Sequence, residues 1–185
     1  MNLVVNSSDF PVAYHTRTPH FRRIVVPRDA PMAHVVEMII QTSNVHGTID
    51  RIEINSHGNA GYVDIGEGLH IDNVHLLSRL RPYFRPMVSG EERTINTGIL
   101  IDACLVARNE EVNISPVFMG LYVSGEEFLL RMAIEINNKV YASTNIQRGP
   151  NGRDTSSFEG GYIIFGPTGI LKRVGPAQTR NHRAS

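Results

Sequence analysis

Arg51-Ile-Glu-Ile-Asn-Ser-His57-Gly58 and Gly98-Ile-Leu-Ile-Asp-Ala-Cys104 are the two stretches whose reading decides the fold. Each is a short run rich in β-branched and apolar residues that ends in a small residue followed by a chemically active one. Runs of this length and composition read as buried strands of a parallel sheet. Their histidine and cysteine are 47 positions apart, 104 minus 57. That is enough for a crossover with one helix between adjacent parallel strands. Both side chains then belong at the carboxyl edge of the sheet, where ligands of open α/β folds collect.

The chain on either side of this pair alternates strand and helix. Leu3-Val-Val5 and Arg22-Arg-Ile-Val-Val-Pro27 read as strands, separated by a polar segment with Pro11 and Pro19. Met32, Val35, Val36, Ile39 and Ile40 fall at the i, i+3, i+4, i+7, i+8 spacing of an amphipathic helix. Pro31 suits its first turn and Gly47 its end. After His57 comes a glycine-rich stretch, residues 58–68, with a short hairpin predicted around Tyr62 to Ile65. Asp72 is predicted to cap a second helix whose core face is Leu76, Leu77 and Leu80, ending before Pro82.

Beyond Cys104, residues 108–123 show no clean period and read as a loop. Ser124-Gly-Glu-Glu127 is a capping box for a third helix with the apolar stripe Phe128, Leu129, Met132, Ala133 and Ile136. Val140-Tyr-Ala-Ser143 follows as a strand. A turn-rich loop spans 145–157, and Tyr162-Ile-Ile-Phe165 with Ile170-Leu171 closes as a hairpin. The expectation is an α/β fold: a three-layer α/β/α sandwich with a mainly parallel central sheet and crossover helices on both faces. One domain is expected over residues 1–175, with a flexible C-terminal tail at 176–185.

Composition narrows the function. The 185 residues are 41% hydrophobic, enough for one sizeable core, and 18 Lys and Arg balance 18 Asp and Glu. No global field draws the chain to nucleic acid or anionic lipid. The basic pairs Arg22-Arg23 and Arg79-Leu-Arg81, and the tail Arg180 to Arg183, lack interleaved aromatics and read as solvated surface. Partners are therefore expected to exclude nucleic acid and membrane, and no apolar run reaches the roughly 20 residues of a transmembrane helix. A single cysteine and no signal-peptide pattern point to a cytoplasmic protein, or one delivered without a conventional signal peptide. Oligomeric state is not legible.

Cys104 is the only cysteine, and a thiol attacks best as thiolate, so a nearby imidazole matters. His57 is the candidate base. Gly58 allows backbone to approach a substrate, and its N–H with that of Cys104 suits an oxyanion, at about 3 kcal/mol per donor. Glu53 and Asp64 are candidates to orient His57, although strand alternation leaves the direction of Glu53 open. The bland alternative is a buried, inert cysteine at a strand end. His15, His20, His34 and His46 lack a recognised zinc spacing and read as surface histidines. His70 and His75 suit surface or capping roles at a helix start. The glycines of 58–68 lack the context of a dinucleotide or phosphate loop.

Ile54-Asn-Ser-His57-Gly58 and Ile99-Leu-Ile-Asp-Ala-Cys104 resemble the caspase-like clan of cysteine peptidases, which includes caspases, clostripain, gingipains, legumain and separase. Val140-Tyr-Ala-Ser-Thr144 and Gly160-Gly-Tyr-Ile-Ile164 are similar to the last core strands of that clan, and the resemblance runs over about residues 1–174. It implies a caspase-like fold and an endopeptidase with a catalytic His57–Cys104 dyad, acting on a protein or peptide substrate without a cofactor or metal. Gly58 and Cys104 supply the implied oxyanion amides. Asp102, Ser143 and Thr144 line the implied substrate pocket. Asp102-Ala-Cys104-Leu is most similar to clostripain, which implies cleavage after Arg or Lys. Arg148 and Arg153 keep acidic specificity open, because caspases hold aspartate with arginines. The clan's self-cleavage would fall after a residue such as Arg108. The remaining readings are a caspase-fold effector or interaction module without proteolysis, and a Cys-His acyltransferase.

Overall fold

The strand-and-helix alternation folds as a mixed α/β structure. The computed structural model describes residues 1–9, 21–88, 90, 96–103, 106–107, 109–112, 121–144 and 161–175. Its strands are β1 (Asn2–Ser7), β2 (Phe21–Val26), β3 (Arg51–Asn55), β4 (His57–Asn59), β5 (Tyr62–Asp64), β6 (Leu69–His70), β7 (Gly98–Asp102), β8 (Asn109–Val112), β9 (Leu121–Ser124), β10 (Val140–Ser143), β11 (Tyr162–Gly166) and β12 (Gly169–Val174). Helix α1 is Met32–His46 and α2 is Gly125–Ile136. A 3₁₀ helix spans Val74–Tyr83.

Among the described residues, seven strands form one sheet in the order β12-β11-β10-β7-β3-β1-β2. β2, β1, β3, β7 and β10 run parallel, and β11 and β12 add an antiparallel edge. The crossovers β2 to β3, β3 to β7 and β7 to β10 all step in one direction across the sheet. Right-handed connections of that kind deliver their helices to the same side. Leu3, Val5, Ile52, Ile54, Ile99, Ile101, Val140 and Ala142 accordingly form one buried cluster with α1, α2 and the 3₁₀ helix. Residues of the opposite parity, Leu100, Tyr141 and Ile164, form a separate cluster on the other face. This departs from the expectation of helices on both faces: every helix of the described residues lies on one.

The helices differ in how they match their sequence patterns. In α1 the expected residues Met32, Val35, Val36, Ile39 and Ile40 are buried, while Pro31 stands at the N-cap and not inside the first turn. Glu67 Oε1 accepts from the Met32 N–H at 2.9 Å, so a carboxylate from a distant loop caps the positive end of this helix. Ser124 Oγ accepts from the Glu127 N–H at 3.1 Å, as the capping box of α2 predicts.

The second helix departs from its prediction. Asn73 holds the N-cap position in place of Asp72, and Pro82 lies within the helix. Its buried residues Val74, Leu77 and Leu80 are three apart, the spacing at which 3₁₀ side chains eclipse. Within the loop expected over 108–123, the described residues of β8 and β9 instead pair as antiparallel strands. No helix of the described residues is long and apolar enough to cross a membrane. The predicted tail, residues 176–185, and the loop 145–157 lie outside the described residues.

Candidate active site

The two strands that carry the predicted dyad are neighbours. β3 and β7 pair in parallel with Arg51 opposite Gly98 and Asn55 opposite Asp102. The last paired residues thus sit level at the carboxyl edge, two positions before His57 and two before Cys104. Cys104 lies outside the described residues, as do Arg108, Arg148, Arg153, His15 and His20. His57, Gly58, Asp102, Ser143 and Thr144 fall within the described residues.

His57 is exposed and opens β4, the first strand of a small antiparallel sheet in the order β4-β5-β6. Ser56 fixes this sheet to the end of β3. Its hydroxyl bonds the carbonyls of both His57, at 2.9 Å, and Asp64, and its N–H donates to Asp102 O at 3.4 Å. The Gly61 N–H donates to Val106 O at 3.2 Å, and the Ala107 N–H donates to Ser143 O at 3.1 Å. Val106 and Ala107, just beyond Cys104 in the chain, are consequently buried and tied to both the histidine-bearing hairpin and β10.

Alternation divides the small sheet into two faces. Val63 and Leu69 point into the core and are buried. His57, Asn59, Tyr62, Asp64 and His70 share the opposite face, with His57 directly across from Asp64 and Tyr62 across from both Asn59 and His70. Tyr62 Oη donates to Asp64 Oδ1 at 3.3 Å. Burial, and then the adjacent Asp64 carboxylate, raise the Tyr62 phenol above its ordinary range, which keeps the hydroxyl protonated as a donor. The hairpin expected around Tyr62 to Ile65 corresponds to β5 and its pairings, and these carry a polar face beyond that expectation. Its signal is the period-two spacing of His57 with Asn59 and of Tyr62 with Asp64.

Asp102 ends β7, half-buried, on the face of the main sheet opposite the helices. Its row continues across neighbouring strands through Asn55 and Asn6, which are buried. Asn55 Nδ2 donates to Asn6 Oδ1 at 2.9 Å, while Asn55 Oδ1 is buried with no hydrogen-bond partner among the described residues. Polar residues at the end of otherwise apolar strands were the available signal for this row.

On the other side of Asp102, Ser143 is buried at the end of β10. Ser143 Oγ and Thr144 Oγ1 donate to Gly161 O at 3.3 and 3.1 Å, and the Thr144 N–H donates to the same oxygen at 3.0 Å. Both hydroxyls therefore join β10 to the start of β11.

The other candidates take structural positions. Glu53 is buried in mid-β3 and pairs with Arg51 at 3.3 Å. His70 Nδ1 pairs with Asp72 Oδ2 at 3.3 Å, and His75 Nδ1 lies 3.0 Å from Asp72 O. Among the described residues no three His, Cys, Asp or Glu side chains form a group that could hold a metal ion. No protein-family model matches the chain, and comparison with curated proteins and with solved structures gives no match.

Proposed function

We propose that the chain is a cysteine endopeptidase of the caspase-like clan that cleaves protein or peptide substrates after Arg or Lys. The observation that carries this reading is the β3–β7 register, in which Asn55 lies opposite Asp102. His57 and Cys104 each follow this pair by two residues, as in a dyad shared by adjacent parallel strands. In the proposed reaction His57 takes the proton of the Cys104 thiol, and the thiolate attacks the scissile carbonyl. The N–H groups of Gly58 and Cys104 hold the oxyanion, which is stabilised most in the transition state. His57 then protonates the leaving amine, and water hydrolyses the thioester. Asp102 attracts a cationic side chain and disfavours an anionic one. Ser143 and Thr144 shape the pocket wall through their ties to Gly161.

A fluorogenic peptide panel bearing Arg, Lys, Asp or Asn before the cut tests this reading. Turnover is expected with Arg and Lys, and both Cys104→Ala and His57→Ala should reduce it by about a thousandfold or more. Absence of turnover in the unmodified chain, together with no labelling by a basic chloromethyl ketone, overturns the peptidase and leaves the interaction module as the better account.

A further inference from the structure

The stretch from His57 to Gly68 contains more chemistry than a turn requires. Cross-strand partners on one face of an antiparallel pair have Cβ atoms about 5 Å apart. His57 and Asp64 are such partners, and both reach the solvent-facing side of the small sheet. Asp64 is held from two directions. Its carboxylate accepts from Tyr62 Oη at 3.3 Å, and its carbonyl accepts from Ser56 Oγ, the same hydroxyl that bonds the His57 carbonyl.

The Tyr62 ring has its own support. Gly68 has φ +99°, and a Cβ there would lie 2.5 Å from Tyr62 Oη and 2.6 Å from its Cε2. Only glycine leaves room for the ring where it reaches Asp64. Asn73 holds this turn by donating from Nδ2 to Gly68 O at 2.8 Å and accepting the His70 N–H at 2.9 Å. Gly68, Tyr62 and Asp64 thus form a supported series that ends opposite His57.

We propose that Asp64 is a positioning residue for His57, accepting from the imidazole so as to select its tautomer and ring orientation, with Tyr62 holding the carboxylate in place. The role follows the general chemistry of an anionic acceptor beside a histidine, which determines which ring nitrogen carries the proton. It rests on the proposed role of His57 in catalysis, but the tautomer is measurable without catalysis.

The experiment records ¹⁵N spectra of the His57 ring in the full chain carrying Cys104→Ala, alone and combined with Asp64→Asn, Asp64→Glu or Tyr62→Phe. In parallel, kcat and KM are measured with Cys104 present. Asp64→Asn should shift the tautomer ratio several-fold and lower kcat about a hundredfold with KM within about twofold, as expected when a reacting group is misplaced. Asp64→Glu should restore part of both effects. Tyr62→Phe should move both in the same direction as Asp64→Asn but less, and it provides the same readout should the Asp64 variants fail to fold. An unchanged tautomer ratio in a folded Asp64→Asn chain, or in Tyr62→Phe where Asp64→Asn does not fold, overturns the proposal. A tautomer shift in a chain without peptidase activity supports the positioning role and overturns only the reaction assigned to His57.

Discussion

Tyr141 stands in β10 on the face away from the helices and is fully buried. Its hydroxyl donates to the Thr97 carbonyl. Burial raises the phenol above its ordinary value of 10.0, against a smaller lowering effect from the Arg51 charge. The folded state therefore holds this proton more tightly than the unfolded chain. The associated stability is complete below about pH 10 and is lost as pH rises above it toward the folded value. Tyr141→Phe should cost about 1 kcal/mol near pH 7, for the lost hydrogen bond. It should also flatten the fall of stability above pH 10, as urea titrations across pH 8 to 11 would report. An equal alkaline slope in both proteins counts against this account. At this scale the sequence disclosed residue types, such as His57, Asp102 and the polar ends of β1 and β3. It did not disclose that Ser143 and Thr144 both bond Gly161 O, since such partners meet only when β10 and β11 pair.

Strand β7 starts at Gly98, which has φ +96° and is wedged against the chain entering β10. A Cβ there would overlap the Lys139 carbonyl oxygen and lie 2.9 Å from its carbon. The Gly98 N–H meanwhile donates to Asp50 O and the Ile99 N–H to Lys139 O, each at 2.8 Å. Gly98→Ala should cost about 2–4 kcal/mol, combining left-handed strain with displacement of the chain entering β10. Gly47→Ala, at φ +91° but with open space around it, should cost only about 1 kcal/mol. Urea melts of the two variants check the order, and equal losses would show that strain alone decides. The strands of the seven-stranded sheet, α1, α2 and the closing hairpin were legible because periodicity and caps are local, whereas β8 and β9 fall where a loop was expected. The 3₁₀ helix was not. Val74, Leu77 and Leu80 serve either geometry in part, and contact with α1 and α2 selects the three-residue repeat.

At the scale of the whole molecule, α1, α2 and the 3₁₀ helix share one core against the parallel strands. Leu80 is fully buried there and lines a small apolar cavity with Val36, Ile52 and Leu77. Leu80→Ala enlarges space that the surroundings already leave open, so it should cost about 3–4 kcal/mol. It should lower the melting temperature by roughly 10 °C, and calorimetry showing no shift would mean that the site collapses around the smaller residue. Sequence by itself determined the alternating elements, the mainly parallel sheet and the carboxyl edge to which His57 and Asp102 belong, because hydrophobic periodicity is local and strand–helix–strand alternation implies parallel crossovers. Only the tertiary structure decided that the described helices cover one face, that Glu67 caps α1, and that Asp64 stands opposite His57. Those features depend on strand order and cross-strand register, in which residues far apart in sequence or separated by a turn become neighbours through the burial of a shared core.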